Sequence, residues 1–223
     1  MISMQQPNKL TGALFIQLSV LMGAFLLFFV LFFSKGVSFL WFNFYHNSTL
    51  DVFFTYFTYL GDGIVAVFAV ILLLLLGNRE LAGKLFLTFI ISGLIAQVLK
   101  NLFHAPRPQA FFQKTYHHFI AGVTHGGFAS FPSGHTTTAF AIATLLACNI
   151  RCNKTCIIFF VLACGIGYSR IYLGQHFVPD VLAGMVIGIC TSMVVENLNQ
   201  FIKIPKLNRY EVPLQHEEPA LEL

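Results

Sequence analysis

Residues 11–33 read TGALFIQLSVLMGAFLLFFVLFF, an apolar run without a single charged side chain. It is too long for the hydrophobic region of a signal peptide, and no small-residue cleavage signature follows it. It is therefore read as a membrane helix that is retained. Working outward, comparable apolar stretches predict further spans over about 52–76, 81–103, 133–150, 155–173 and 179–202, since each crossing consumes about 20 residues. Between the first two lies the Phe- and Trp-rich segment 36–45, which suits the headgroup interface where aromatic rings settle. The composition agrees: 57% of residues are hydrophobic and only 10% charged, with a mean hydropathy of +0.75, against roughly 45–50% and 25% in soluble domains. The expected fold is an all-α, polytopic membrane helix bundle of about six transmembrane helices. It forms one domain over 1–210, followed by an acidic tail, 211–223, read as a solvated, mobile end. No internal repeat or low-complexity linker interrupts it.

The net charge of +4 is modest and scattered, so neither a nucleic-acid partner nor a polybasic lipid anchor is expected. The predicted topology puts Lys9, Arg79, Lys84, Arg151, Lys154, Lys203, Lys206 and Arg209 on one side, and Lys35, Lys100, Arg107, Lys114 and Arg170 on the other. The positive-inside rule makes the first side cytoplasmic, with both termini there and loop 104–132 outside. Cys148, Cys152, Cys156, Cys164 and Cys190 lie in or beside apolar runs. With no His or carboxylate nearby to complete a tetrahedral set, they are read as small apolar residues.

Three polar clusters punctuate the later spans. Lys100 closes the third span, and Pro106 and Pro108 bracket Arg107 in a stiff, extended segment that aims its guanidinium. A lysine at a span end is also an ordinary interface residue. Pro132-Ser133-Gly134-His135 leads into the fourth apolar run, so Ser133 and Gly134 fall at a helix N-terminus. There they serve either as a plain cap or, with free N–H groups and the dipole, as an anion site. The third cluster runs from Ser169-Arg170 to His176 and Asp180. An arginine at the end of a span is costly unless it is paired or faces water. His176 and Asp180, four apart, share a face if the last helix begins near His176, although Pro179 leaves that start open. The topology brings all three clusters to one membrane face. Three cations, a helix N-terminus and two histidines there describe a site for a dianionic group, with nucleophilic and acid–base chemistry.

The pattern Lys100-(six residues)-Arg107-Pro108, Pro132-Ser133-Gly134-His135 and Ser169-Arg170-(five residues)-His176-(three residues)-Asp180 resembles the type 2 phosphatidic acid phosphatase superfamily. The likeness covers 100–180, with every motif position filled. It implies a membrane lipid phosphatase that needs no metal or other cofactor and works through a phosphohistidine. In that scheme His176 is the nucleophile, Asp180 orients it, and His135 is first acid and then base. Lys100, Arg107, Ser133, Gly134 and Arg170 hold the phosphoryl oxygens. The expected partner is a membrane lipid phosphate: phosphatidylglycerol phosphate, phosphatidic acid, undecaprenyl pyrophosphate or a lipid A phosphate. The expected location is a bacterial inner membrane with the site facing the periplasm. Lipid phosphotransfer through the same intermediate is the related alternative, and a non-enzymatic transporter the unrelated one.

The residues themselves bear on the metal question, because the predicted outer side offers only Asp51, Asp62 and Asp180 as carboxylates, and metal phosphatases generally need several. His104, His117, His118 and His125 show no spacing that favours zinc. Asp62, flanked by Gly61 and Gly63 within a span, reads either as a helix break near the interface or as a contact behind the site. The sequon Asn47-Ser48-Thr49 is assigned no role.

Overall fold

The computed structural model describes residues 9–201, apart from 114, 116, 117, 121 and 151; the tail expected over 211–223 lies outside the described residues. All regular structure among them is helical: α1 (Lys9–Phe32), α2 (Lys35–Phe42), α3 (Ser48–Phe57), a 3-10 turn (Thr58–Gly61), α4 (Gly63–Leu75), α5 (Arg79–Phe103), α6 (Pro108–Phe112), α7 (Gly134–Asn149), α8 (Asn153–Tyr172) and α9 (Val178–Phe201).

Among the described residues, helices α1, α5, α8 and α9 are each long and apolar enough to cross a bilayer, and α3 with α4, bent by 51° at their junction, is together long and apolar enough to form a broken span or a re-entrant loop. Side chains such as Phe25, Leu31, Phe68, Leu75, Leu94 and Val161 stand exposed along these helices, which is how a bundle meets lipid. The second expected span is therefore not one straight helix. It breaks at Gly61-Asp62, where Asp62 turns extended and its Oδ1 accepts from Ile64 N at 2.9 Å to cap α4. The break follows from packing: a Cβ on Gly61 would stand 2.5 Å from Ile166 Cγ2 and 2.9 Å from the His135 carbonyl oxygen.

The expected fourth span, over 133–150, is α7, and its 16 residues give only about 24 Å at 1.5 Å per residue, short of the roughly 30 Å hydrocarbon layer. It sits centrally, against α1, α5, α8 and α9, so neighbouring helices rather than lipid surround most of it. In segment 36–45 the aromatics divide: Phe39 is buried among α-helical neighbours, while Trp41, Phe44 and Tyr45 are exposed.

Glycines at 184 and 188 set the α7–α9 crossing. A Cβ on Gly184 would meet the Ser133 carbonyl oxygen at 2.6 Å, and one on Gly188 would meet Thr137 O at 2.5 Å and Ala141 N at 2.8 Å. This spacing of small residues lets two membrane helices touch backbone to backbone, and Ser192 adds a hydrogen bond to Ala141 O at 2.8 Å. Gly188→Ala is expected to lower stability by about 1–3 kcal/mol, the usual penalty of overpacking. Thermal unfolding in detergent checks this, with Gly93→Ala as the control: a Cβ at Gly93 meets nothing within 4 Å, so that change should be neutral or slightly stabilising. The crossing fixes where the start of α7 lies relative to the start of α9, and the polar clusters sit at those two ends.

Candidate active site

The end of α5, the start of α7, the end of α8 and the turn before α9 surround a cavity of about 320 Å³, lined by Lys100, Arg107, Gly134, His135, Arg170 and His176, with Thr58, Asp62, Gln175 and others around them. Six of the eight residues singled out in the sequence thus meet at one cavity, and Ser133 and Asp180 stand directly behind it.

Each cation arrives by a different device. Lys100 lies in the last turn of α5, its Nζ 3.5 Å from where a Cβ on Gly134 would be. Arg107 is extended, as its flanking prolines require, and a two-bond strap holds it: Arg107 N donates to Gly127 O at 2.9 Å, and Ser130 N to Ala105 O at 3.0 Å. Its Nη1 donates to Gln175 Oε1 at 2.5 Å, and the Gln175 amide nitrogen donates to Val123 O. Arg170 is 7% exposed, and its Nη1 donates to Thr58 Oγ1 at 2.7 Å. Among the described residues none of the three cations forms an ion pair, and Arg170 Nε has no hydrogen-bond partner. A buried cation is normally paired, so buried Arg170, with the half-buried Lys100 and Arg107 beside it, leaves the balancing anion to be supplied by what enters.

His176 follows a left-handed turn at Gly174 (φ +64°), where Gln175 N and His176 N both donate to Arg170 O, at 2.9 and 3.1 Å. That turn ties Arg170 and His176 into one unit. Helix α9 starts at Val178, two residues beyond His176, yet His176 Nδ1 still comes within 3.5 Å of Asp180 Oδ2. The reason is that Asp180 Oδ2 also accepts from Phe177 N at 2.9 Å, which folds the preceding turn back over the helix start. Ser130 Oγ donates to the same oxygen at 2.5 Å, so the carboxylate is fixed before it meets the imidazole. His176 Nδ1 faces Asp180, which leaves Nε2 as the nitrogen turned to the cavity. Burial lowers the His176 pKa from its ordinary value to about 4, against the opposing pull of Asp180. The ring is neutral at pH 7, with its lone pair available.

Ser133 caps α7: its hydroxyl accepts from Thr136 Oγ1 at 2.8 Å and Thr136 N at 3.4 Å, and it is fully buried behind Gly134. Ser133 N in turn donates to Asp180 O at 3.0 Å, coupling the two helix starts. Asp62 fits both of its sequence readings, because it breaks the span and its Oδ2 lies 3.8 Å from His135 Nε2. Gln175, Thr58 and Ser130 carried no signal in the sequence. They are uncharged, and their partners lie 50 to 112 positions away.

A family model described as the PAP2 superfamily matches residues 81–202, more than half of the chain. The chain belongs to the PAP2 superfamily. It is 36% identical over 165 residues to the undecaprenyl-diphosphatase BcrC of Bacillus subtilis, covering 71% of this chain and 80% of that one. It is 35% identical over 117 residues to a lipid A 1-phosphatase of Rhizobium johnstonii, covering 51% of this chain and 46% of that one. It thus spans about half the length of that relative. The crystal structure of Aquifex aeolicus LpxE is similar at a TM-score of 0.65 and 35% identity, over 71% of this chain and 92% of that one. A transmembrane PAP2-type phosphatidylglycerolphosphate phosphatase from B. subtilis, at 23% identity and a TM-score of 0.62, supports the fold. With its apolar helices and this membership, the chain is an integral membrane protein. The PAP2 match spans Lys100 to Asp180 entire, whereas Thr58 and Asp62, which touch Arg170 and His135, precede it.

Proposed function

We propose that this PAP2 chain hydrolyses the terminal phosphate of a membrane lipid phosphate or lipid pyrophosphate through a phosphohistidine, without a catalytic metal. The observation that carries this reading is the cavity itself: three cations without carboxylate partners around a neutral, buried imidazole backed by a fixed carboxylate. His176 Nε2 attacks phosphorus while Asp180 holds the proton on Nδ1. The bond from phosphorus to the leaving oxygen breaks, and His135 protonates that oxygen. His135 then takes a proton from water, whose oxygen attacks phosphorus, releasing inorganic phosphate and freeing His176. Lys100, Arg107, Arg170 and the Gly134 N–H neutralise the charge that builds on the phosphoryl oxygens; Ser133 serves that site as the cap that presents Gly134. Among the described residues Asp62 is the one carboxylate lining the cavity, a donor set better suited to an anion than to a hard metal ion.

The charge distribution along the chain supports an outward-facing site, in a bacterial inner membrane facing the periplasm. The relatives' names, a lipid A 1-phosphatase, an undecaprenyl-diphosphatase and a phosphatidylglycerophosphatase, support a substrate of the lipid phosphate or lipid pyrophosphate class. Phosphatidic acid presents the same terminal group, and a lipid hydroxyl could replace water as the acceptor.

The test uses purified protein in detergent with excess EDTA and a panel of these lipids carrying labelled terminal phosphate. Phosphate release is expected to continue in EDTA. Acid-labile label should be trapped on the wild-type chain by rapid alkaline quench during turnover, and should be absent from His176→Asn. Release that falls to background in EDTA, or label that His176→Asn still carries, would overturn the mechanism.

A further inference from the structure

Against Tyr172, at residues that do not line the phosphate cavity, three groups that the sequence leaves apart come together. His46 follows α2, Asp51 lies in the first turn of α3, and His118 belongs to the segment between α6 and α7. One ligand atom from each lies within 4.8 Å of the others. His118 Nε2 is 3.4 Å from Asp51 Oδ1, His46 Nδ1 is 3.7 Å from the same oxygen, and the two imidazole centroids are 3.6 Å apart.

The surroundings decide how His46 presents itself. The Asn43 amide nitrogen donates to Ile171 O at 2.6 Å and Tyr172 O at 2.9 Å, carbonyls at the end of α8. That fixes the amide orientation, so Asn43 Oδ1 is the atom 2.7 Å from His46 Nε2 and must accept its proton. His46 Nδ1 therefore turns a lone pair, not a proton, towards the Asp51 carboxylate. Tyr172 already donates to Asp51 Oδ1 at 2.7 Å, and a second imidazole converges on the same oxygen. In the tautomer that leaves its Nε2 unprotonated, His118 completes a set of two imidazole lone pairs and one carboxylate around a single point, where a cation would bind them more tightly than the long 3.4 Å contact from His118 to Asp51 does. A ring nitrogen oriented by an amide oxygen on its other side is the usual support for a metal ligand.

We propose that His46, Asp51 and His118 form a binding site for a divalent transition metal of the zinc class, outside the catalytic cavity. Two imidazoles and one carboxylate suit zinc, at about 2.0–2.2 Å per ligand with a fourth place open to water. Ligand atoms around such an ion stand slightly closer together than they do here, so binding draws the three groups inward by a few tenths of an ångström. The consequence is positional. Gly122, Val123 and His125, from the same segment as His118, line the phosphate cavity, and Val123 O holds Gln175, which holds Arg107. An ion at this site staples that segment to α3 and so braces Arg107, without entering the reaction.

The test is equilibrium dialysis of tag-free, EDTA-stripped protein in detergent against Zn2+, followed by thermal unfolding with and without the metal. One equivalent should bind and raise the unfolding midpoint. Binding should weaken at least tenfold in both His46→Ala and His118→Gln, the latter at a side chain that is 38% exposed and so spares the fold. His135→Ala and His176→Asn should keep the site. Cobalt substitution should give the visible absorption of a tetrahedral nitrogen and oxygen site, lost in His118→Gln. No stoichiometric binding would overturn the assignment. So would binding that survives both ligand variants, or binding that disappears with His135 and His176, which would place the ion in the phosphate cavity. None of these outcomes depends on the phosphohistidine mechanism.

Discussion

His176→Asn is expected to reduce phosphate release by on the order of 10⁴- to 10⁶-fold, the scale of losing a nucleophile that acts as part of a unit. Asparagine is the informative replacement. The side chain is 2% exposed, so alanine would open a void beside Phe177 and Asp180, whereas Asn keeps a polar group facing the fixed carboxylate. The unfolding midpoint should therefore move little while the rate collapses, and no label should be trapped on the chain even when His135 is also replaced. Asp180→Asn should cost less, about 10²- to 10⁴-fold, because it retains one oxygen for Phe177 N and Ser130 Oγ but no longer stabilises the imidazolium. Initial rates on whichever panel lipid turns over fastest, measured beside thermal unfolding, separate chemistry from folding. Retention of a tenth or more of the wild-type rate by His176→Asn would remove it as the nucleophile.

Much of this site could be read from sequence because its parts sit at helix ends, where local rules operate. Pro106 and Pro108 fix the backbone of Arg107, Ser133 announces the start of α7, and the spacing of His176 and Asp180 survives even though α9 begins two residues later than the pairing first suggests. What could not be read depends on which helices touch. Thr58 meets Arg170, and Asp62 meets His135, only because Gly61 lets the 3-10 turn press against α7 and α8. Read by hydropathy alone, that region is one continuous span over 52–76. The short α7 has a similar origin: hydropathy predicts a crossing, but a helix screened by its neighbours does not need full hydrocarbon length. His46 and His118 lie 72 positions apart on two connecting segments, so no spacing rule joins them, and the histidines of loop 104–132 gave no reason to expect a metal. The Asn43 bonds to the end of α8 make that pairing visible.

Arg170→Met is expected to separate function from stability in the opposite sense to most buried substitutions. Arg170 is buried, bonded to Thr58 and without an ion-pair partner among the described residues, so the folded protein bears the desolvation of a guanidinium that Thr58 and the nearby Asp62 offset only in part. A methionine of similar volume removes that cost, as apolar replacements of buried charges often do. The unfolding midpoint of the unliganded protein should stay level or rise. Over the same change, kcat/KM should fall about 10²- to 10³-fold, the usual loss when one preorganised donor to a developing oxyanion is removed. Inorganic phosphate or vanadate, as probes of the cavity, should stabilise the wild type through linkage, by about 2.7 kcal/mol at one hundred times the dissociation constant, and should stabilise Arg170→Met far less. If the variant unfolds early yet still responds to phosphate, Arg170 is a structural residue satisfied by Thr58, and the cavity owes its anion affinity to Lys100 and Arg107. If it is stable, slow and indifferent to phosphate, the buried guanidinium is strain held in the fold for an anion that arrives from the membrane.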